Sequence, residues 1–362
     1  MKKRFYDIKP IKEVNADFNL IYGQKGNGKT TTTLQDLLEE CIRNNWQFVI
    51  LRRWEEDFRG GRATTMFSDI ASRGFIGKIT DNKWDNIVYF HKAWYFCRYD
   101  EELDKRIKAE EPIAYARALT SYEHDNGNQY PRVHRIVFDE FITDKELPDE
   151  FTIFMKVYDN IKRRKDDFKV YMLGNTVNYF STYWGNFGID NIHKQQPGTI
   201  DVYTAKEQGH EVKVACEYCE NIIGSEEKAT ISVFANKNPK LNMIVSGGWE
   251  IGSYPRPPKF RPKDILFVFF IQFYEYTFQC EIVSVDDGVF LNIHPKTGTI
   301  KGDNDIIYSN EYHHEYNYRR SLNYTGDKLG KLVTQLFNTD KVFYASNEVG
   351  NIIDSYRELV KW

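Results

Sequence analysis

The sequence feature that most constrains the fold is a glycine-rich run between a predicted strand and a predicted helix. Residues 18–22 are mostly apolar and predict a buried strand, whereas residues 31–38 predict the first turns of a helix. The glycines let the backbone curl so that its N–H groups surround phosphate oxygens, while a lysine reaches the β- and γ-phosphates and a threonine hydroxyl binds Mg²⁺. This P-loop pattern predicts a nucleoside triphosphate site formed by Gly23, Gln24, Lys25, Gly26, Asn27, Gly28, Lys29, Thr30 and Thr31.

A second apolar strand ends in two acids, Asp139 and Glu140. The first acid is suited to hold Mg²⁺ with Thr30, and the second to polarise an attacking water, which a kinase does not need there. One strand precedes this acid strand after the P-loop, and another strand follows it and ends at Asn175. This order resembles the additional-strand catalytic-glutamate class of P-loop ATPases, in which an amide in the position of Asn175 senses the γ-phosphate. The alternatives are solvated acids that close a strand and a simple turn residue at Asn175.

Charge that develops on the γ-phosphate is usually neutralised by an arginine from the same or a neighbouring subunit. The basic run 162–165 supplies Arg163, which is our first choice, and Arg164. A solvated helix end and a DNA contact are the competing interpretations of this run. Arg59 and Arg62 flank two glycines in a predicted mobile loop, which either follows DNA phosphates or is a plain surface loop.

Composition limits the remaining possibilities. With 362 residues the chain is long enough for two domains, and its 41% hydrophobic and 15% aromatic residues exclude a disordered chain. Because the net charge is −3, any nucleic-acid contact must come from local patches.

No apolar run is long enough to cross a bilayer and no secretory signal is visible, so we expect a cytoplasmic protein without membrane contact. Five scattered cysteines fit a reducing compartment, although Cys216 and Cys219 have metal-ligand spacing without a second pair.

Strands alternate with helices up to about residue 190, which predicts an α/β domain with a parallel sheet and ligands at the carboxyl ends of its strands. Within it, residues 86–97 predict a hairpin insertion and residues 101–111 a charged helix. The remainder predicts a smaller α+β domain, with antiparallel strands over 265–293 and two terminal helices. We therefore divide the chain into a P-loop ATPase domain at 1–195, a linker region at 196–230 and a C-terminal domain at 231–362.

Four segments together resemble the genome-packaging (encapsidation) ATPases of small protein-primed tailed phages, the phi-twenty-nine-like group: Gly23–Thr30, Phe48–Arg53, Arg135–Ile142 and Leu173–Asn175. The resemblance is specific over about residues 15–190 and looser beyond. It implies ATP and Mg²⁺ as cofactors. Position by position, it implies phosphate and Mg²⁺ contacts from Lys29 and Thr30, a Walker B acid at Asp139, a catalytic base at Glu140 and a trans-acting arginine finger at Arg163 or Arg164.

The resemblance further implies a ring of subunits, a pentamer in this family, at the portal (connector) vertex of an empty prohead. ATP hydrolysis would drive double-stranded DNA inward, in the cytoplasm of an infected bacterium and with a structural prohead RNA as a further partner. It also implies a C-terminal domain that resembles a ribonuclease-H-like terminase nuclease domain without its cutting residues. Asp286, Asp287 and Glu275 are a poor set for holding two metal ions, so we expect a binding module there.

Two other functions fit the same sequence. One is a headful large terminase with an active C-terminal nuclease. The other is a nucleotide-dependent assembly protein with little turnover. Cleavage of DNA distinguishes the first from a pure motor, and the effect of Glu140→Gln on turnover distinguishes the second.

Overall fold

The computed structural model describes residues 5–125, 129–143, 146–176, 181–189, 192–207, 210–220, 253–274, 276–286, 288–296, 298–300, 302, 304–322 and 326–360. The chain divides into two compact units. The first comprises Met1–Thr143 and Asp149–Ile231, and the second comprises Asp144–Pro148 and Ser232–Trp362.

The first unit is a mixed α/β structure. Its strands are β1 (Phe18–Gly23), β2 (Gln47–Arg52), β3 (Asn86–Phe90), β4 (Ala93–Asp100), β5 (Lys105–Lys108), β6 (Ala114–Ala118), β7 (Val133–Asp139), β8 (Lys169–Asn175), β9 (Thr199–Glu207) and β10 (His210–Tyr218). Its helices are α1 (Lys9–Glu13), α2 (Lys29–Asn44), α3 (Gly61–Thr65), α4 (Ser68–Ser72), α5 (Phe75–Ile79), α6 (Glu150–Lys162) and α7 (Thr182–Asn186). Short 3₁₀ turns span Glu55–Phe58, Leu119–Asp125 and Ile192–Lys194.

In the part of the first unit that the structure describes, ten strands form one sheet in the order β3-β4-β6-β2-β7-β8-β1-β10-β9, with β5 paired to β4. The strands from β6 to β10 in this order run parallel, and β9 and β4 pair antiparallel at the two ends of that parallel set. The sheet is therefore mostly parallel at its centre, as the sequence predicts.

The central strands are buried along their length because helices cover both faces of the sheet. Every residue of β1 is buried, as is typical of parallel strands between two helical layers. On one face, Ile21 belongs to the same core cluster as Leu34 and Leu37 of α2. On the other face, the ring of Phe18 lies 5.0 Å from that of Tyr158 in α6, measured between centroids.

The strand order brings three functional segments to one edge of the sheet. Strand β8 lies between the P-loop strand β1 and the acid strand β7. Gly23 pairs in register with Asn175, and Leu173 pairs with Asp139. Since parallel strands share a carboxyl edge, the P-loop, the acid pair and Asn175 all meet there.

The predicted linker at 196–230 differs from the structure. Strands β9 and β10 form an antiparallel hairpin within the first sheet, and β10 pairs in parallel with β1. Of the predicted linker, residues 199–207 and 210–218 therefore belong to the first sheet, and residues 208–209 and 221–230 lie outside the described residues. The polar, exposed first half of β10 hides its strand character, whereas its second half, Val214–Tyr218, is buried against β1.

The predicted hairpin at 86–97 is confirmed as β3 and β4. The helix predicted for 101–111 is wrong, because Lys105–Lys108 forms β5 and pairs antiparallel with β4. The predicted mobile loop at residues 59–62 is also replaced by regular structure. Arg59 follows a 3₁₀ turn and Arg62 lies in α3.

The second unit has a sheet of its own. Its strands are β11 (Ile265–Phe273), β12 (Tyr276–Val285), β13 (Gly288–Pro295), β14 (Ile307–Ser309), β15 (Tyr318–Arg319) and β16 (Val342–Tyr344), and its helices are α8 (Lys328–Asn338) and α9 (Asn347–Leu359). Within the described ranges, six strands take the order β15-β14-β11-β12-β13-β16. Strands β11 to β13 are antiparallel, whereas β14 runs parallel to β11. The predicted antiparallel strands and terminal helices are confirmed.

No helix in the described ranges has the length and apolar character needed to span a bilayer.

Candidate functional site

The carboxyl ends of β1, β8, β7 and β2 border a cleft of about 520 Å³ in the first unit. The cleft contains most of the residues that the sequence predicts for nucleotide binding and hydrolysis. Its lining includes Lys25, Gly26, Asn27, Gly28, Lys29, Thr30, Thr31, Asp139, Glu140 and Asn175, together with Phe5, Arg52, Arg62, Asp69 and Arg73.

The loop between β1 and α2 has the backbone geometry of an anion-binding turn. Gly28 precedes the first residue of α2 with φ +90°, a conformation that favours glycine. The N-cap residue Gly28 has no side chain to cap this 16-residue helix, although Asn27 Oδ1 accepts from the Lys29 N–H at 3.3 Å. Backbone N–H groups at a helix N-terminus, together with the helix dipole, form a site for phosphate oxygens.

Lys29 lies beneath this loop and is only 5% exposed. Its Nζ donates to the carbonyl oxygens of Gly23 and Gln24 at 3.2 and 2.9 Å and to the Oδ1 atoms of Asn27 and Asn175 at 3.2 and 3.3 Å. Burial lowers the pKa of Lys29 to about 8, against the opposite influence of Asp139. The amine is thus held by oxygen atoms at the point where a triphosphate would enter.

Asp139 is shared by two partners. The Thr30 hydroxyl donates to its Oδ1 at 3.2 Å, and Arg52 Nη2 donates to its Oδ2 at 2.5 Å. Arg52 Nη1 also lies 3.8 Å from a carboxylate oxygen of Glu140. The buried Nε of Arg52 has no hydrogen-bond partner among the described residues. Arg52 therefore brings positive charge to both acids.

Glu140 has an unusual backbone that a buried ion pair supports. Its φ is +64°, in the left-handed region, and its side chain is 60% exposed. Arg53 donates from Nη1 to the Glu140 carbonyl at 3.1 Å and from Nη2 to the Phe141 carbonyl at 2.9 Å. Glu150 in turn accepts from Arg53 Nε and Nη2 at 2.6 and 2.7 Å, and Tyr183 donates to it at 3.0 Å. Arg53 and Glu150 thus fix the turn that presents the Glu140 carboxylate.

The structure does not bring the predicted finger residues into this cleft. Arg163 follows α6 with φ +45° and ψ −119°. Its guanidinium donates to the carbonyl and Oδ1 of Asn160 at 3.1 and 3.3 Å. Arg163 and Arg164 are both exposed. Neither of them is part of the lining around the P-loop.

The two arginines predicted to contact DNA are both ion-paired. Arg59 lies 3.6 Å from Glu56, and Arg62 lies 2.9 Å from Asp57. Arg62 also lines the cleft at the P-loop, whereas Arg59 lines a separate cleft of about 100 Å³. The structure therefore separates two residues that the sequence places in one loop.

Strand β10 supports the P-loop from the side opposite β8. The Cys219 N–H donates to the Tyr22 carbonyl at 2.8 Å. A Cβ built on Gly23 would lie 3.0 Å from the Cys219 Cβ. Burial raises the pKa of the Cys219 thiol to about 12, so the thiol keeps its proton at neutral pH. Among the described residues, no group of three or more His, Cys, Asp and Glu side chains is placed to hold a metal ion.

The N-terminal segment is anchored to the same region by Tyr6. Its N–H donates to the Asn27 carbonyl at 3.1 Å, and its hydroxyl donates to Glu217 Oε2 at 2.7 Å. Burial raises the pKa of Glu217 to about 7, although the Tyr6 hydrogen bond acts in the opposite direction. Glu217 also raises the pKa of the buried Tyr6 hydroxyl.

The raised pKa of Glu217 makes the free energy of unfolding depend on pH. Between its ordinary value of 4.5 and about 7, the folded protein holds a proton on Glu217 that the unfolded chain has lost. The stabilisation is therefore complete below the unfolded pKa and is lost as pH rises through the folded pKa. Glu217→Gln keeps an acceptor for Tyr6 without ionising. We expect the variant to unfold at higher urea concentration than the wild type at about pH 8, with a smaller difference at about pH 5.

Urea unfolding at the two pH values measures this effect. The matched control is Glu211→Gln on the same strand, whose exposed carboxylate lies 3.0 Å from Lys206. An equal pH dependence in wild type and Glu217→Gln would contradict the assignment.

Three residues that line or support the cleft were not singled out from the sequence. Glu150 appears as an ordinary residue at a helix start, and Phe5 and Arg73 belong to no motif. Arg52 and Arg53 carry a usable signal, because Arg52 ends β2, the strand that neighbours the acid strand, and Arg53 follows it. Arg52 contacts the acid side chains, whereas Arg53 contacts backbone carbonyl oxygens. This difference depends on the directions of the two side chains.

Comparison with known proteins gives one family match and several relatives. Residues 95–207 match the profile of the podovirus DNA encapsidation protein (Gp16) family. The resemblance to the phage DNA encapsidation proteins is confirmed. The matched residues include the acid pair and Asn175, whereas the P-loop lies outside them.

Individual relatives are described as DNA packaging proteins. The chain is 24% identical over 182 residues to a DNA packaging protein of Bacillus phage B103, covering 49% of this chain and 50% of the relative. It is 22% identical over 192 residues to the DNA packaging protein of Bacillus phage phi29, covering 52% and 51%. The chain therefore spans about half the length of the curated relatives it matches.

The fold is similar to solved packaging motors. The Phi-28 gp11 DNA packaging motor superposes with a TM-score of 0.57 at 18% identity, over 100% of this chain and 99% of that chain. The bacteriophage Phi-29 genome packaging motor assembly gives a TM-score of 0.57 at 17% identity, over 98% and 99%.

Proposed function

We propose that this protein is an ATPase whose hydrolysis cycle drives double-stranded phage DNA into a preformed prohead. The observation that carries the proposal is the convergence of Lys29, Thr30, Asp139, Glu140 and Asn175 on one cleft. The position of β8 between the P-loop strand and the acid strand supports the additional-strand catalytic-glutamate class. The choice of DNA as the substrate rests on the similarity to DNA packaging proteins.

The residues present fit ATP and Mg²⁺. The N-terminus of α2 and the buried Lys29 would provide donors for the phosphates. The Thr30 hydroxyl donates to Asp139, so both residues are close enough to hold one metal ion. Thr30 and Asp139 would hold Mg²⁺, and the metal would supply positive charge to offset that of the phosphates. Gly23, Gln24, Lys25, Gly26, Asn27, Gly28 and Thr31 complete the phosphate loop in this proposal.

Side chains of the cleft then have separate roles in ATP hydrolysis. Lys29 binds the β- and γ-phosphates, and Glu140 accepts a proton from the attacking water. Asn175, which already bonds Lys29, senses the γ-phosphate. Arg52 bonds Oδ2 of Asp139, which leaves Oδ1, the oxygen that the Thr30 hydroxyl contacts, for Mg²⁺.

Arg163 is the proposed trans-acting finger, with Arg164 as the alternative. Both lie outside the cleft of their own chain, as a residue that serves a neighbouring subunit must. The left-handed φ of Arg163 occurs where glycine would relieve strain. An arginine in this strained backbone conformation supports a functional role over a solvated helix end. The proposal therefore includes a ring of subunits, with five as in the family that the sequence resembles.

The second unit is proposed to have a ribonuclease-H-like fold without nuclease activity. Three sequential antiparallel strands, followed by a strand parallel to the first of them, support this fold. Asp286 is exposed in the turn after β12, whereas Asp287 and Glu275 lie outside the described residues. Two-metal cleavage requires clustered carboxylates. We propose that this unit binds the portal or a structural prohead RNA instead, while the complex is docked on the prohead in the infected cell.

The DNA contacts remain proposed at Arg59 and Arg62. Because both guanidiniums are already paired with acids, DNA would have to compete with Glu56 and Asp57. Backbone contacts of this kind release counterions. We expect double-stranded DNA to stimulate the ATPase at low salt and the stimulation to fall by at least about tenfold between 50 and 200 mM salt.

Steady-state ATP hydrolysis, measured with and without linear DNA across a salt series, tests the proposal. Basal turnover without DNA at each salt concentration is the control. Stimulation that does not depend on salt would count against a motor that tracks the DNA backbone.

The two alternative functions have separate tests. Incubation of the full chain with supercoiled plasmid and Mn²⁺ leaves the plasmid intact if the second unit is a binding module, whereas nicked or linear product would indicate a working terminase nuclease. Tight ATP binding with turnover that neither DNA nor proheads stimulate would indicate an assembly protein.

A further inference from the structure

Phe5 holds a fixed position at the edge of the nucleotide cleft. The residues after it alternate between buried and exposed, with Tyr6 and Ile8 buried at 5% and 3% exposure. The two hydrogen bonds of Tyr6, to Asn27 and Glu217, attach this segment to the P-loop and to β10. The buried residues Tyr6 and Ile8 therefore anchor the backbone next to Phe5, although the Phe5 side chain is 52% exposed.

The surroundings of Phe5 belong to the cleft. A Cβ placed on Gly28 would lie 3.2 Å from Phe5 Cδ1, so the ring packs directly against the phosphate loop. The Arg73 guanidinium carbon lies 5.2 Å from the ring centroid. Arg73 is oriented by Asp69, which accepts from its Nε and Nη2 at 3.1 and 3.0 Å. Phe5, Asp69 and Arg73 all line the cleft with the P-loop.

We infer that Phe5 and Arg73 form the nucleobase subsite of this cleft, where the purine ring stacks on the exposed aromatic ring. This inference rests on the proposed nucleotide-binding function and names the part of the ligand that the P-loop does not bind. An aromatic face supplies stacking, and a neighbouring guanidinium adds a cation–π interaction. The contact between Phe5 and Gly28 places this surface beside the phosphate loop.

The chain contains a matched aromatic residue that helps to separate this role from general surface burial. Phe90 is 50% exposed, and Lys108 Nζ lies 5.6 Å from its centroid. Phe90 does not line the P-loop cleft. Phe5 and Phe90 thus share residue type, exposure and a nearby cation, but only Phe5 borders the phosphate loop.

The test compares a ligand that has a base with one that lacks it. Titration calorimetry of the full chain with Mg²⁺ measures the binding of AMP-PNP, a non-hydrolysable ATP analogue, and of inorganic tripolyphosphate. We expect Phe5→Ala to weaken AMP-PNP binding about tenfold, equivalent to about 1.4 kcal/mol, because it removes one stacked base contact. Tripolyphosphate binding should not change. Arg73→Ala should give a smaller loss for AMP-PNP alone, and Phe5→Trp should preserve AMP-PNP affinity.

Each result has a defined meaning. Unchanged AMP-PNP binding in Phe5→Ala, or equal losses for both ligands, would overturn the subsite; equal losses would mean that Phe5 only supports the P-loop. A similar loss in Phe90→Ala would also overturn it. If the wild type binds neither ligand, the proposed nucleotide function itself fails, and the subsite fails with it. Thermal unfolding of each variant checks that the chain remains folded.

Discussion

Replacing Glu140 with glutamine is expected to reduce ATP turnover by about 10²- to 10⁴-fold, the contribution typical of a general base. Glutamine has the same size but cannot accept the proton of the attacking water at neutral pH. The side chain is 60% exposed in the cleft, so the fold should tolerate the change. AMP-PNP binding should be retained, because the phosphate contacts come from the P-loop and Lys29.

Steady-state phosphate release and calorimetric binding measure the two halves of this prediction. Glu110→Gln is the control, since Glu110 is an exposed glutamate outside the cleft. Turnover that remains unchanged in Glu140→Gln would remove this carboxylate from the mechanism. It would also favour the nucleotide-dependent assembly protein over the motor.

The second large effect is expected at the Arg53–Glu150 ion pair. The Arg53 and Glu150 side chains are 5% and 0% exposed. Arg53→Met leaves the Glu150 carboxylate buried without its cation, which typically lowers the free energy of unfolding by about 3–5 kcal/mol. Lys206→Met, at a pair whose side chains are 71% and 51% exposed, should cost less than about 1 kcal/mol.

A double variant separates stability from catalysis. In Arg53→Met/Glu150→Leu, no unpaired charge is buried, so most of the lost stability should return. Turnover should remain low, because Arg53 also holds the carbonyls of Glu140 and Phe141. Urea unfolding and ATP hydrolysis on the same preparations test this. Full recovery of turnover in the double variant would show that Arg53 does not position Glu140.

The parts of the site that could be predicted are those that short segments encode. The P-loop needs only a strand, glycines, Lys29 and Thr30 in sequence, and the acid pair needs only an apolar run before Asp139. Asn175 was located because the order of strands along the chain matches a known class of ATPase. In each case the residue type and its neighbours carry the information.

What could not be predicted depends on pairing between distant segments. Residues 196–230 look like a linker because β9 and the start of β10 are polar, and their place in the sheet appears only through the pairing of β10 with β1. The charges at 101–111 fit a helix equally well until β5 pairs with β4. Phe5 has no sequence signal, because its importance comes from its contact with Gly28, which lies far along the chain.

The pairing of β1 also has a consequence for synthesis. Its two neighbouring strands begin at Lys169 and His210, so the strand that leads into the P-loop has no partner from its own region of the sequence. Contacts between such distant segments form slowly, since a long loop must close before they are made. During translation, the apolar strand Phe18–Gly23 therefore remains unpaired until all of β8, which ends at Asn175, has left the ribosome. A nascent chain that stops before β8 can have the complete P-loop sequence and still lack a nucleotide site.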